Sequence, residues 1–317
     1  MKNDIGLKHI ALELKISLVA VSRALKDYDD ISEITKHKVR QKAIELGYVP
    51  RPVDKIKHKI IAVFVDSLVS PMFGIITEKM IEELKKKNYL IILIPTAKNY
   101  VSKENVKEAL KLSVDAMISF LIPHDNAYEI ALLHRVPFLL FGRYDERPKL
   151  NVVCMDDEQG GQLAASYLID ECHATKLCYI GVDDIECSAR RQQGFLEKAE
   201  QTGIKDVLVL KEEQMREVSD LIEKGYHWFF CFDDNLANYL YDSQKSKDIH
   251  VIGFNGISNY SQQFEFIASI NADYDQMVHE AVEILMQKIA CKNEGEPIIK
   301  KYQTKLCKKE NKNENKN

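Results

Sequence analysis

Apolar and polar positions follow two different rhythms along this chain. In the first fifty residues the apolar positions recur at helical spacing. Leu7, Ile10, Ala11 and Leu14 form one stripe, predicting a first helix. Ser17 then precedes LVAVSRAL and is placed to cap a second helix. Only Lys15 and Ile16 separate the two, so a helix, a tight turn and a second helix follow in quick succession, the helix-turn-helix geometry. Ser32 is placed to cap a third helix, with Val39, Ala43 and Leu46 inward and Gly47 at its stop. The core expected from Ile10, Ile16, Val21, Leu25, Val39 and Leu46 is very small and marginal alone.

From residue 60 the rhythm changes. Continuous apolar runs at 60–65, 89–94, 116–121 and 138–141 read as strands, with amphipathic helices at 72–87, 102–112 and 126–133 between them. After Met155 the alternation resumes: helix 158–171, strand 176–181, helix 188–201, strand 207–210, helix 213–224, strand 228–232, helix 234–243 and strand 250–254. Strands apolar on both faces and interleaved with helices predict parallel α/β sheets. Two such runs predict two lobes. Residues 273–291 form a last long helix, and the polar tail KKENKNENKN is expected to be disordered. That tail carries no leucine heptad that would build a tetramer.

Composition narrows the picture little. A chain of 317 residues suggests roughly two domains. Apolar residues at 45% and charged residues at 29% exclude a wholly disordered chain, and 13 Gly with 8 Pro exclude collagen. No apolar run is long enough to span a membrane, and MKNDIGLKHIALELK lacks the apolar stretch of a secretory signal. Seven scattered cysteines without CxxC read as reduced thiols, so a cytoplasmic location is expected. Charge is more telling. Residues 1–59 hold 13 Lys and Arg against 8 Asp and Glu, within a chain of net charge −4. A basic head on an acidic body suggests a head that meets a polyanion; a solvated helical surface is the plainer alternative. No GxGxxG follows a strand, and P-loop, HExxH and GxSxG are absent. The His and Cys positions show no metal-ligand spacing, so neither metal nor cofactor is expected and catalysis has no positive support.

S-L-V-A-V-S-R-A-L (17–25), I-S-E-I-T (31–35) and E-L-G-Y-V-P (45–50), in this order and spacing, resemble the DNA-binding domain of the Lac repressor (LacI/GalR) family. The resemblance implies that residues 18–25 lie in the major groove, with Leu18, Val19 and Arg23 facing base edges. It places Ser17, Ser22, Lys26, Ser32, Thr35 and Lys38 near phosphates. The chemistry agrees: Arg23 can read guanine bidentately and Leu18 and Val19 can meet thymine methyls, while hydroxyls and lysines position without reading sequence. The alternative is that Leu18 and Val19 are core, but Val21 and Leu25 already supply an inward face. One departure is Lys15, where the family usually has Gly; a positive φ there costs Lys about 1 kcal/mol. A three-helix head alone spans few bases, so a homodimer on a palindromic operator is expected.

The family follows this head with a hinge segment of about fourteen residues containing Ala-Arg-x-Leu. Here Pro50 is followed only by RPVDKIKHK, at most about 30 Å when extended. Arg51, Lys55, Lys57 and Lys59 read as a basic tether along phosphates; a short hinge helix with Ile56 as a minor-groove wedge is the alternative. The resemblance continues through MDDEQGG (155–161), SARRQQGF (188–195), FDDNLA (232–237) and VIGFNGI (251–257), blocks of the family's periplasmic-binding-protein-like core. It implies a small effector, often a sugar, clamped between the lobes. Carried over, Arg191 anchors ligand oxygens, Asp233 and Asn255 accept hydroxyl hydrogens, and Phe73 offers an apolar face. Arg143, beside Gly142 where the family often has Asp, supplies a second cation. Arg191 in a structural ion pair, Asp233 as a helix cap and Asn255-Gly256 as a turn are the alternatives; the family usually has two acids at the last site.

The expected organisation is therefore a helix-turn-helix domain at 1–50, a linker at 51–59, an effector core of two lobes at 60–305 and a disordered tail at 306–317. The expected function is effector-controlled transcriptional regulation. A solute-binding protein leaves residues 1–50 unexplained. A sugar-modifying enzyme needs an acid–base pair in the cleft, where Asp156, Asp157, Asp233 and Asp234 stand without a visible partner.

Overall fold

The computed structural model describes residues 6–26, 28–48, 59–66, 70–97, 99–145, 147, 150–244, 248–257 and 267–308. The chain forms two compact units, Met1–His58 and Lys59–Asn317.

The first unit holds three helices, α1 (Leu7–Leu14), α2 (Leu18–Leu25) and α3 (Glu33–Glu45). Two caps set their starts: the Ser17 hydroxyl accepts the Ala20 N–H at 3.0 Å, and the Ser32 hydroxyl accepts the Thr35 N–H at 3.3 Å. Lys15 ends α1 in the left-handed region, φ 53° and ψ 43°, so the strain expected of a non-glycine residue in this turn is present. Ile10, Val21, Ala24, Val39 and Ala43 are the buried centre, with Leu7, Leu14, Ile16, Leu25 and Leu46 packed round it. Leu25, Ile16 and Leu46, expected in the core, are its half-buried rim. Lys36 is buried and paired with Glu33 at 2.7 Å.

The second unit is built on two six-stranded sheets. One has the order β11-β5-β4-β3-β1-β2, from β1 (Lys59–Val65), β2 (Tyr89–Pro95), β3 (Ala116–Ser119), β4 (Phe138–Phe141), β5 (Asn151–Met155) and β11 (Ile299–Tyr302). The other has the order β12-β10-β9-β8-β6-β7, from β6 (Lys176–Gly181), β7 (Asp206–Lys211), β8 (Trp228–Cys231), β9 (His250–Phe254), β10 (Ala268–Asn271) and β12 (Lys305–Lys308). All pairings are parallel except β10 with β12. Helices α4 (Pro71–Lys86), α5 (Lys103–Lys111) and α6 (Asp125–Leu133) connect strands of the first sheet. Helices α8 (Glu186–Gln201), α9 (Val218–Glu223) and α10 (Asp234–Ser243) do so in the second. The chain passes between sheets after β5, through α7 (Asp157–Ser166), after β10, through α11 (Tyr274–Ala290), and after β11.

Several boundaries differ from the sequence expectation. The expected helix 158–171 is α7 followed by a π-helical turn, Tyr167–Glu171, and the expected helix 213–224 is a 3-10 turn, Glu212–Glu217, followed by α9. Lys59, assigned to the linker, opens β1, and its ammonium lies 5.2 Å from the Tyr89 ring centroid. Leu306, Cys307 and Lys308, assigned to the disordered tail, pair with β10. Backbone hydrogen bonds along a sheet edge hold this polar segment where side-chain burial does not. Arg51, Lys55, Ile56 and Lys57, and with them the choice between tether and hinge helix, lie outside the described residues.

Two glycines explain how the second unit brings its charged groups together. A Cβ on Gly161 in α7 would overlap the Arg191 carbonyl of α8, and a Cβ on Gly194 in α8 would overlap the Glu158 carbonyl of α7. The backbones of these helices therefore touch, which requires residues without side chains at both points. A Cβ on Gly160, beside Gly161 in DEQGG, would instead meet the Phe254 ring and Ile270 of the second sheet. The consequence of the crossing is that Asp157 and Arg191, on its facing sides, meet.

Candidate functional site

In the first unit, α2 turns Val21 and Ala24 inward and leaves Leu18 and Val19 43% and 65% exposed. Neither is core, so the helix has an apolar outward face that folding does not use. Ser17 and Ser32 are occupied as caps, and Thr35 exchanges a side-chain hydrogen bond with Ser32 at 2.9 Å. Ser22 is half-buried, whereas Lys26 and Lys38 are exposed. Arg23 is held: its guanidinium pairs with Asp30 at 2.8 Å and lies 4.5 Å from the Tyr28 ring centroid. The side chain remains 41% exposed. Asp30 and Tyr28 were not identified from sequence; the local spacing Arg23…Asp30 carries no signature that would single them out.

In the second unit, a cavity of about 280 Å³ opens at the carboxyl ends of strands from both sheets, where α/β folds hold ligands. Its lining includes Asp66 beyond β1, Phe120 beyond β3, Phe141, Gly142 and Arg143 at the end of β4, and Met155 ending β5. From the other sheet come Cys187 and Arg191 of α8, Phe232 and Asp233 beyond β8, and Asn255 beyond β9. Phe73, Arg143, Arg191, Asp233 and Asn255, scattered through the sequence, are thus brought to one cavity. Phe73 stacks on Phe120 with centroids 4.8 Å apart, and Phe141 meets Phe120 edge-on. Phe120 and Phe141 were missed in sequence, although both sit where a strand ends and the strand-end rule points to them.

Arg191 is 3% exposed, and two of its N–H groups are spent inside the protein. Nε donates to Asp157 Oδ1 at 2.7 Å and Nη1 to the Phe232 carbonyl at 2.6 Å. The guanidinium lies 3.5 Å from the Phe254 ring centroid and 4.9 Å from that of Phe232. Burial alone would lower its pKa; the Asp157 carboxylate outweighs this and holds it charged. The structural ion pair is therefore real, and Arg191 also borders the cavity. Asp233 caps α10, Oδ1 accepting the Leu236 N–H at 2.8 Å, and burial raises its pKa. Asn255 has φ 94°, with its N–H donating to Ile270 O at 2.8 Å and its carbonyl accepting the Tyr274 hydroxyl at 2.9 Å. Gly256 follows with φ 63°, so the pair is a turn in which Asn255 carries the backbone strain. Among the described residues, Asn255 Oδ1 is buried without a hydrogen-bond partner. Arg143 donates to Cys187 Sγ at 3.5 Å.

All four acids considered for catalysis have structural partners. Asp156 caps α7 through the Gln159 N–H, Asp157 pairs with Arg191 and Asp233 caps α10. Asp234 accepts the Ile257 N–H at 2.5 Å and the Ser269 hydroxyl at 2.6 Å. Among the described residues no His, Cys, Asp and Glu cluster could hold a metal, and no helix is long and apolar enough to cross a membrane.

This architecture is shared with known proteins. The chain is 25% identical over 205 residues to the HTH-type transcriptional repressor CytR of Escherichia coli K12, a match covering 62% of this chain and 60% of that protein. It is 24% identical over 334 residues to the HTH-type transcriptional repressor PurR of Erwinia tasmaniensis, covering 94% of each. The structure of the transcriptional regulator CelR in complex with cellobiose superposes with a TM-score of 0.65 at 19% identity, covering 96% of this chain and 98% of that one. Residues 57–228 match the family of periplasmic binding proteins and the sugar-binding domain of the LacI family. With more than half of its length inside that match, the chain belongs to this family.

Proposed function

We propose that the protein is an effector-controlled, DNA-binding transcriptional repressor, acting in the cytoplasm as a homodimer on a palindromic operator. The observation that carries this reading is one chain holding both a helix-turn-helix with an unused outward face on α2 and a cleft lined from two sheets. In this reading residues 1–50 bind DNA, 51–58 link, and 59–308 bind the effector, Lys59 opening β1 and β12 extending the core to Lys308. Arg23, Leu18 and Val19 read bases; Ser17, Ser22, Lys26, Ser32, Thr35 and Lys38 face the backbone. Arg23 must exchange Asp30 for guanine, which Tyr28 beneath it helps by keeping the guanidinium in place. Phe73 packs against the effector, Asn255 and Asp233 accept its hydroxyls, and Arg143 and the remaining N–H groups of Arg191 meet its oxygens. A small hydroxylated molecule, as in the cellobiose complex of CelR, fits such a lining.

Selection of binding sites from a random DNA pool tests the reading. A palindromic sequence is expected, with Arg23→Ala weakening it about tenfold or more and relaxing one base preference. Lys38→Ala weakens all sequences alike. Recovery of no preferred sequence, or unchanged binding by Arg23→Ala, removes the assignment of α2 as the reading helix.

A further inference from the structure

The cleft is charge-asymmetric in a way that bears on what fills it, given the reading of that cleft as an effector site. Arg191 is neutralised by Asp157 and Asp233 is engaged as a helix cap. Arg143 has no such partner. Among the described residues it forms no ion pair, and its hydrogen bond goes to the Cys187 thiol at 3.5 Å. Sulfur is a weak acceptor. Cys187 is 4% exposed, and burial raises its pKa, so it is a neutral thiol and not a counter-ion. Much of the surrounding wall is apolar, with Met72, Phe73, Phe120, Phe141, Met155 and Ile185, and its carboxylates are Asp66 and Asp233. Arg143 is half-buried and gives its one hydrogen bond to a thiol, so its other N–H groups are free to meet a ligand anion.

The lining also carries a complementary defect. Asn255 is 5% exposed, and among the described residues its Oδ1 has no hydrogen-bond partner. A buried acceptor in that state lacks a donor such as a hydroxyl, and such unsatisfied groups in folded proteins are rare. The volume, about 280 Å³, lies at the lower edge of small-molecule sites and holds one compact molecule.

We propose that the effector is a compact polyhydroxylated anion, a sugar acid or a sugar phosphate, whose charged group is met by Arg143 and whose hydroxyl donates to Asn255. The apolar part of the wall packs against the carbon skeleton. The neutral sugar of the same skeleton meets Asn255 but leaves Arg143 unpaired, so the cleft discriminates between the two by charge.

The experiment is a thermal-shift titration of the full-length protein with D-glucose, D-gluconate and D-glucose 6-phosphate, and with D-ribose and D-ribose 5-phosphate. Inorganic phosphate and acetate serve as bare anions. At least one anionic sugar is expected to raise Tm at a concentration tenfold or more below its neutral parent, and the bare anions are not. Preference for gluconate or for the phosphates separates the two sources of charge. Arg143→Gln is expected to bring the anionic sugar to the level of its parent, and Arg143→Lys to keep the preference. Asn255→Ala weakens neutral and anionic sugars together. A neutral sugar as effective as its anion, an Arg143→Gln protein that keeps the preference, or a bare anion giving the full shift overturns the charge assignment and leaves the cleft standing. A wild-type protein whose Tm none of the sugars moves overturns the charge assignment and the cleft reading together.

Discussion

A single residue can line a cavity and hold the fold together, and Arg191 does both in this geometry. Its removal strands Asp157, which is 2% exposed, as an uncompensated buried charge. Arg191→Ala is therefore expected to cost about 3–5 kcal/mol of stability, and the double variant with Asp157→Ala less than the sum of the two single changes. Urea unfolding of the three variants checks this, and additive losses would show that the pair is not coupled. The effect also makes Arg191→Ala a poor probe of ligand binding; Asn255, without a side-chain partner on Oδ1, is the cleaner one. Asp234 makes a second residue-scale case. Burial pushes its pKa up to about 8 from an ordinary 3.8, against the opposing hydrogen bonds from Ser269 and Ile257. Between those values the folded state keeps a proton that the unfolded state has released. Stability contributed by this group is whole below the unfolded pKa and falls as pH rises towards 8. Asp234→Asn does not titrate: its amide oxygen accepts the Ile257 N–H and its NH₂ faces the Ser269 hydroxyl. Its stability relative to wild type is expected to grow from pH 5 to pH 8. Denaturation curves at both ends check it, and a constant difference would refute the protonated state.

The elements show where sequence reasoning succeeds and where it stops. Long periodic segments such as α4, α8 and α11 are legible from the one buried stripe each carries, and the strands β1, β6 and β9 from continuous apolar runs. Strands β11 and β12 are not: IKKY and KLCK lie on sheet edges, mostly exposed, and nothing in their hydropathy separates them from a loop. Strand β5 was passed over because NVVCM is short and no amphipathic helix precedes it. Site residues on strand ends follow a topological rule and can be found, while the Asp157–Arg191 pair depends on a helix crossing that single positions do not reveal. That crossing rests on Gly161 and Gly194. Gly194→Ala drives a methyl group into the Glu158 carbonyl, so α7 and α8 must separate, costing about 1–3 kcal/mol or more. Calorimetric unfolding checks the loss; an unchanged Tm would mean that the helices do not touch there. In the first unit the reverse change is favourable. Lys15→Gly removes a left-handed lysine from the turn between α1 and α2 and is expected to stabilise that unit by about 1 kcal/mol, read by hydrogen exchange of its amides.

At the scale of the whole molecule, the proposed function requires that two sites in one chain exchange free energy. If the effector changes operator affinity by some factor, operator must change effector affinity by the same factor, because both paths join the same four states. The direction is open, but the equality is not. A coupling of typical size, about 1–3 kcal/mol, corresponds to about 5- to 150-fold and is measurable from either end. The short segment between Pro50 and Ile60, nine residues that extend at most about 30 Å, leaves little slack in which such coupling could dissipate. Operator affinity with and without saturating effector gives one ratio by fluorescence anisotropy. Effector affinity with and without saturating operator gives the other by calorimetry. Matching ratios different from one establish a regulator whose cleft and head act through one equilibrium. Two ratios of one would mean that the cleft binds its ligand without reference to DNA, so that a chain built as a sensor and a chain built as a DNA binder would merely be joined. Asn255→Ala carries the argument one step further: it is expected to weaken effector binding while leaving the coupling ratio at saturation unchanged, because it removes a ligand contact and not the equilibrium that the ligand biases.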